Sequence, residues 1–107
     1  MTADDEMFRW AQRCISGEIT PNMRMVVLRI EERRVTFRYY LDIEPNSFLL
    51  ERAEIIALNF DCGLSTNLDA LDIELIHTVE PLGKLEYFDG SLFRRWENDQ
   101  GTTEPDE

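Results

Sequence analysis

The sequence predicts an α+β fold in which an antiparallel four-stranded sheet carries two helices packed on one face, in the chain order α-β-β-α-β-β. Two stretches place apolar residues at helical spacing, and four shorter stretches are mostly alternating, as half-buried strands are. Glycine and proline separate these stretches. The chain has 107 residues, 43% of them hydrophobic, which is enough to build one core.

The first predicted helix covers residues 3–16. Thr2 is the expected N-cap, and Gly17 is the expected stop. Acidic residues in the first turn suit the positive end of the helix dipole. The apolar residues fall on one helical face: Met7, Phe8, Ala11, Cys14 and Ile15.

The two stretches at residues 23–30 and 34–41 predict a β-hairpin. Glu31, Glu32 and Arg33 form the polar break between them. The residues expected to face the helices alternate along each strand: Val26, Leu28 and Ile30 in the first, and Val35, Phe37, Tyr39 and Leu41 in the second.

The second predicted helix covers residues 47–61, after Pro45, with Asn46 or Ser47 as its cap and Gly63 at its end. Its apolar stripe contains Leu49, Ala53, Ile56 and Phe60, and we expect Ile55, Leu58 and Cys62 to widen it. Two further strands are predicted at residues 71–78 and 91–96.

The outer face of the sheet is predicted to be open and charged, because the polar residues of each alternating strand point there. Its expected residues are Arg29, Arg34, Arg38, Asp72 and Glu74, with Arg94 or Arg95. We interpret residues 1–97 as one domain and residues 98–107 as an acidic, disordered tail.

The charge balance is strongly acidic, with 22 acidic residues against 11 basic ones and a net charge of −11. Eight of the acids lie in residues 1–6 and 97–107, so residues 7–96 carry a net charge of only −3. A surface of this sign attracts basic partners and repels nucleic acid and anionic membranes.

The sequence contains no motif that indicates catalysis, a metal or a cofactor. His77 is the only histidine, and Cys14 and Cys62 are interpreted as buried, reduced thiols. A small enzyme that pairs one of these cysteines with His77 is an alternative. An RNA-binding sheet of arginines and aromatics is another, which the acidic charge disfavours. The sequence shows no signal peptide and no apolar run of membrane-spanning length, so the cytoplasm is the expected location.

Several stretches together resemble a family of small bacterial immunity proteins, encoded beside polymorphic toxins that include those of contact-dependent growth inhibition. The resemblance runs from about residue 9 to residue 97. The matching stretches are Gly17-Glu18-Ile19, Pro21-Asn22-Met23-Arg24, Phe37-Arg38-Tyr39-Tyr40-Leu41-Asp42, Glu44-Pro45, Ile73-Glu74-Leu75, Glu80-Pro81-Leu82 and Leu92-Phe93-Arg94-Arg95-Trp96-Glu97.

This resemblance implies a cytoplasmic antitoxin that performs no chemistry. Such a protein binds the C-terminal domain of one cognate toxin, often a nuclease, as a monomer in a 1:1 complex, without contacting nucleic acid or membrane. Because nucleases present basic surfaces to phosphate, a net-acidic inhibitor is attracted to them. A homo-oligomeric or adaptor-type interaction module without catalytic activity is the alternative.

Acidic residues beside rigid aromatics make good interface anchors, and they predict two candidate toxin-binding surfaces. The first contains Asp42, Glu44 and the start of the second helix. The second contains Asp61, Asp69, Asp72 and Glu74, with Tyr40 on the open face of the sheet.

Overall fold

The structure, a computed structural model, describes residues 3–64 and 67–97. Both helices and all four strands form close to their predicted positions. They are α1 (Ala3–Ile15), β1 (Met23–Glu31), β2 (Arg34–Leu41), α2 (Ser47–Cys62), β3 (Ala70–His77) and β4 (Gly90–Arg94). A 3₁₀ helix at Leu82–Lys84, which was not predicted, separates β3 from β4, so the element order differs from the expected one at this point.

The sheet is mixed, so the prediction of a purely antiparallel sheet was wrong. Its strand order is β3-β2-β1-β4. Strand β1 is antiparallel to both β2 and β4, whereas β2 and β3 are parallel from Arg34↔Ala70 to Leu41↔His77. The cause is α2, which follows β2 and carries the chain back along the sheet before β3 begins. A helical crossover of this kind joins parallel strands.

Both helices pack on the inner face of the sheet, as predicted. Side chains from α1 and α2 join the inward rows of β1 and β2 in one core cluster. Phe60 of α2 meets Phe37 of β2 edge to face, with ring centroids 5.1 Å apart. The Asn46 side chain caps α2 by accepting a hydrogen bond from the Leu49 backbone N–H at 2.8 Å.

The predicted apolar stripe of α2 was too wide. Leu58 is 61% exposed, and Cys62 is exposed as well. Leu58 follows the buried Ile56 by two residues, and Cys62 follows the buried Phe60 by two. Two helical residues correspond to about 200° of rotation, so these side chains point away from the sheet.

The outer face is not fully open, in contrast to the prediction. Because β3 and β4 lie at opposite edges of the sheet, the connection between them crosses the outer face. There Leu82 packs with Met25, Val27 and Tyr40 in a second, smaller core cluster, joined by Leu85 and Phe88 among others. One half of the face is therefore covered and apolar, and the other half stays charged.

The acidic tail expected at residues 98–107 lies outside the described residues, so it stays a prediction. Within the described part of the chain, neither helix is both long and apolar enough to cross a membrane.

Candidate functional site

The predicted site residues lie at two ends of the sheet and on its outer face. Asp42 and Glu44 follow the last residue of β2, at the end where β2 and β3 finish. Asp61 lies in the last turn of α2, and Asp69 directly precedes β3, at the opposite end. Asp72 and Glu74 are on β3, opposite Thr36 and Arg38 of β2. The predicted second surface therefore spans the outer face and its far end.

Tyr40 is not on an open surface, which corrects the prediction. Its side chain is only 3% exposed, because the connection between β3 and β4 covers it. The Tyr40 hydroxyl donates a hydrogen bond to the backbone carbonyl of Glu86 at 2.6 Å. Tyr40 therefore fastens this connection to the sheet and is not accessible to a partner.

The charged half of the outer face consists largely of paired groups. Arg38 contacts Glu74 at 2.7 Å, and Arg29 contacts Glu31 at 2.7 Å. The ring of Phe88 lies 4.6 Å from the Arg38 guanidinium and 5.3 Å from that of Arg29, which are cation–π distances. Positive and negative side chains alternate here, so this half of the outer face produces only a weak electrostatic field.

A different group of charges lies at the end where β2 and β3 finish. Arg24 donates to both carboxylate oxygens of Glu97, at 2.6 and 3.0 Å, and to the backbone carbonyl of Thr78 at 2.7 Å. Arg95 contacts the same Glu97 at 2.9 Å and Asp42 at 2.8 Å. We call Arg24, Asp42, Arg95 and Glu97 the strand-end ion cluster.

The pKa values of this cluster follow from its hydrogen bonds. The bonds that Arg24 donates, together with those of Arg95, lower the pKa of Glu97 although partial burial opposes this. For Asp42, burial raises the pKa, but the hydrogen bonds from Arg95 and Asn22 outweigh it and the net shift is downward. The bond to Asp42 raises the pKa of Arg95. All these shifts favour the charged forms.

Three exposed apolar residues each follow, in the chain, a residue that takes part in the hydrogen bonds of the strand-end ion cluster. Ile43 is 36% exposed, Val79 is 83% exposed and Trp96 is 65% exposed. The candidate toxin-binding residues predicted from the sequence did not include these residues or Arg24. The sequence did contain one signal for Arg24, which stands at the start of the apolar row of β1. A charged residue at such an inward position needs a partner of opposite charge.

The alternative enzyme hypothesis pairs His77 with Cys62 or Cys14, and the structure places His77 and Cys62 at opposite ends of the sheet. The His77 ring contacts Glu44 at 3.0 Å at the end of β3, whereas Cys62 is the last of the 16 residues of α2. Burial raises the pKa of the Cys14 thiol, which makes it less reactive. Among the described residues, no group of three or more His, Cys, Asp and Glu side chains is placed to hold a metal ion.

Comparison with known proteins identifies a family for the chain. No curated protein matches the chain. Residues 4–97 match the MafI2 immunity protein family. This range covers nearly the whole described structure: all four strands, α2, and α1 except its first residue. A match of this extent establishes the relationship, and the chain belongs to the MafI2 immunity protein family.

Proposed function

We propose that this protein neutralises a cognate toxin domain by direct contact and performs no chemistry itself. The match of residues 4–97 to an immunity protein family is the observation that carries the proposal. The burial of the Cys14 thiol and the contact between His77 and Glu44 agree with it, while the Cys62 thiol is exposed. The inhibitor acts in the cytoplasm, as a monomer in a 1:1 complex.

The target in this proposal is a nuclease, and the support is electrostatic. The chain carries a net charge of −11. A nuclease needs a basic surface to bind phosphate, and such a surface attracts an acidic inhibitor over several ångströms. Association should therefore be fast at low ionic strength and slow down as salt screens the charges.

The test is co-expression of the chain with the C-terminal domain of the large secreted protein encoded beside its gene. Direct neutralisation predicts that cells survive the toxin only when both are present, and that the two proteins purify together. Cell death in the presence of the chain, without a complex, would refute the proposal. A stable symmetric oligomer of the chain under the same conditions would favour the adaptor alternative.

A further inference from the structure

The strand-end ion cluster links the residues that precede three exposed apolar residues. Asp42 precedes Ile43, Thr78 precedes Val79, and Arg95 precedes Trp96 in the chain. A single hydrogen-bonded network joins the three preceding residues through Arg24, Arg95 and Glu97. Neighbouring Cα atoms are about 3.8 Å apart, so the three apolar residues lie at the same end of the sheet as this network. We call Ile43, Val79 and Trp96 the strand-end surface.

The support beneath the strand-end surface is rigid. Arg24 is only 4% exposed, and its guanidinium is fixed by Glu97 and by the Thr78 carbonyl. Backbone hydrogen bonds also tie this end together, from the Arg95 N–H to the Arg24 carbonyl and from the Thr78 N–H to the Leu41 carbonyl. Anchors held in place before binding lose little conformational entropy when a partner covers them.

The charge around the strand-end surface is negative. The two arginines of the ion cluster are neutralised by Asp42 and Glu97. Glu44, whose side chain is 84% exposed, and the exposed Glu80 remain, against the exposed Arg94.

These observations select one kind of partner. An exposed tryptophan on a hydrogen-bonded support, with exposed aliphatic residues at the same end of the sheet, has the composition of an interface anchor. Acidic groups at its rim complement a basic surface. We propose, on the basis of the function proposed above, that the toxin domain docks on the strand-end surface. In this proposal, the toxin domain receives Trp96 in an apolar pocket that is bordered by the toxin's basic side chains.

The experiment measures the affinity of the full-length chain for the toxin domain encoded beside its gene. Trp96→Ala is expected to raise Kd roughly tenfold or more, as truncation of an anchor does. The matched control is Leu58→Ala, because Leu58 is 61% exposed but lies on the outward side of α2. It should leave Kd within about twofold. Thermal unfolding of both variants verifies that each is folded.

A second pair of variants tests the sign of the partner's charge. Val79 is 83% exposed, so replacing it does not disturb the core. Val79→Lys should weaken binding several times more than Val79→Glu, because only the lysine repels the toxin's basic side chains. Equal effects, or the reverse order, would contradict a basic partner at this position.

Other occupants of the surface give different results. Wild-type affinity in Trp96→Ala, with weak binding in the outer-face variant Asp72→Asn/Glu74→Gln, would overturn the proposal and place the interface on β3. A dimer of the free chain that Trp96→Ala dissociates would assign the surface to a second copy.

Tighter binding of the toxin domain after neutralisation of Asp99, Glu104, Asp106 and Glu107 would show that residues 98–107 occupy the strand-end surface in the free chain. If the wild-type chain itself does not bind, the proposed function fails and this inference fails with it.

Discussion

Arg24 and Glu97 are 73 positions apart in the chain, yet the Arg24 guanidinium donates to both carboxylate oxygens of Glu97, at 2.6 and 3.0 Å. The pair joins the start of β1 to the residues that follow β4. The side chains are only 5% and 14% exposed, so water screens the pair weakly. Residue 97 is also the last residue of the family match, which therefore ends on a structural contact of the sheet.

Removing Glu97 should be strongly destabilising. Glu97→Ala leaves the buried Arg24 charge without its carboxylate, and we expect the free energy of unfolding to fall by about 3 kcal/mol. Urea denaturation followed by circular dichroism measures this change. The matched control is Glu80→Ala, an exposed glutamate at the same end of the sheet, which should change stability by less than about 0.5 kcal/mol. Equal losses in the two variants would show that the ion pair contributes little.

The same cluster predicts how stability depends on pH. Hydrogen bonds lower the pKa of Glu97 below its ordinary value of 4.5 and that of Asp42 below 3.8. The unfolded chain therefore takes up protons first as the pH falls. The stabilisation from both groups is complete above about pH 5 and is lost progressively as the pH falls through the lowered pKa values.

Urea titrations at pH 7, 5, 4 and 3 test this dependence. The double variant Asp42→Asn/Glu97→Gln should be less stable than the wild type at pH 7, and its stability should fall less steeply between pH 5 and pH 3. An acid limb as steep as that of the wild type would mean that other carboxylates govern the acid response.

Tyr39 and Tyr40 are neighbours on β2, and their hydroxyl groups differ in hydrogen bonding. The Tyr39 hydroxyl is buried without a hydrogen-bond partner in the described structure, and burial raises its pKa strongly. Tyr39→Phe should therefore stabilise the protein by about 1 kcal/mol, because it removes an unsatisfied polar group. Tyr40→Phe should destabilise it by about 1 kcal/mol, because it removes the bond to the Glu86 carbonyl. Thermal unfolding of the two variants, compared at equal pH, distinguishes these outcomes; changes of the same sign would contradict them.

Gly63 is required by the close approach of Trp10. The Trp10 indole lies where a Cβ on Gly63 would stand, and its Nε1–H donates to the Phe60 carbonyl at 2.9 Å. Gly63→Ala should displace the indole and cost about 2 kcal/mol. The backbone of Gly63 is in an ordinary helical conformation with φ of −92°, so the expected loss is steric.

Gly17→Ala is the matched control for this effect. Gly17 has a φ of 84°, but the space that an alanine Cβ would take there has no other atom within 4 Å, so alanine costs about 1 kcal/mol through the backbone alone. Tryptophan fluorescence should change in Gly63→Ala and not in Gly17→Ala. An unchanged spectrum in Gly63→Ala would show that the indole tolerates the added methyl group.

The local parts of the fold were predictable from the sequence, and the long-range parts were not. Asn46 and Gly63 marked the ends of α2 correctly, because caps depend on neighbouring residues. Periodicity cannot tell whether a strand pairs parallel or antiparallel, so the direction of β3 was missed. The length of α2 is sufficient for a crossover between parallel strands, and it could have indicated that β3 is parallel to β2.

The candidate site was predicted in part for the same reason. Asp42 was selected as an exposed anchor, but it is a structural partner of Arg95, which is 53 positions away. Tyr40 was assigned to the open face, and only the path of the chain from β3 to β4 shows that it is covered. Trp96 was placed in a final strand, but that strand ends two residues earlier, at Arg94, and Trp96 is 65% exposed.

Direct neutralisation is tested most simply by titrating the purified chain into an activity assay of the toxin domain encoded beside its gene. Binding as a monomer in a 1:1 complex predicts that activity falls linearly and disappears when the two proteins are equimolar. Toxin activity that remains unchanged with a large molar excess of the folded chain would contradict neutralisation by direct contact.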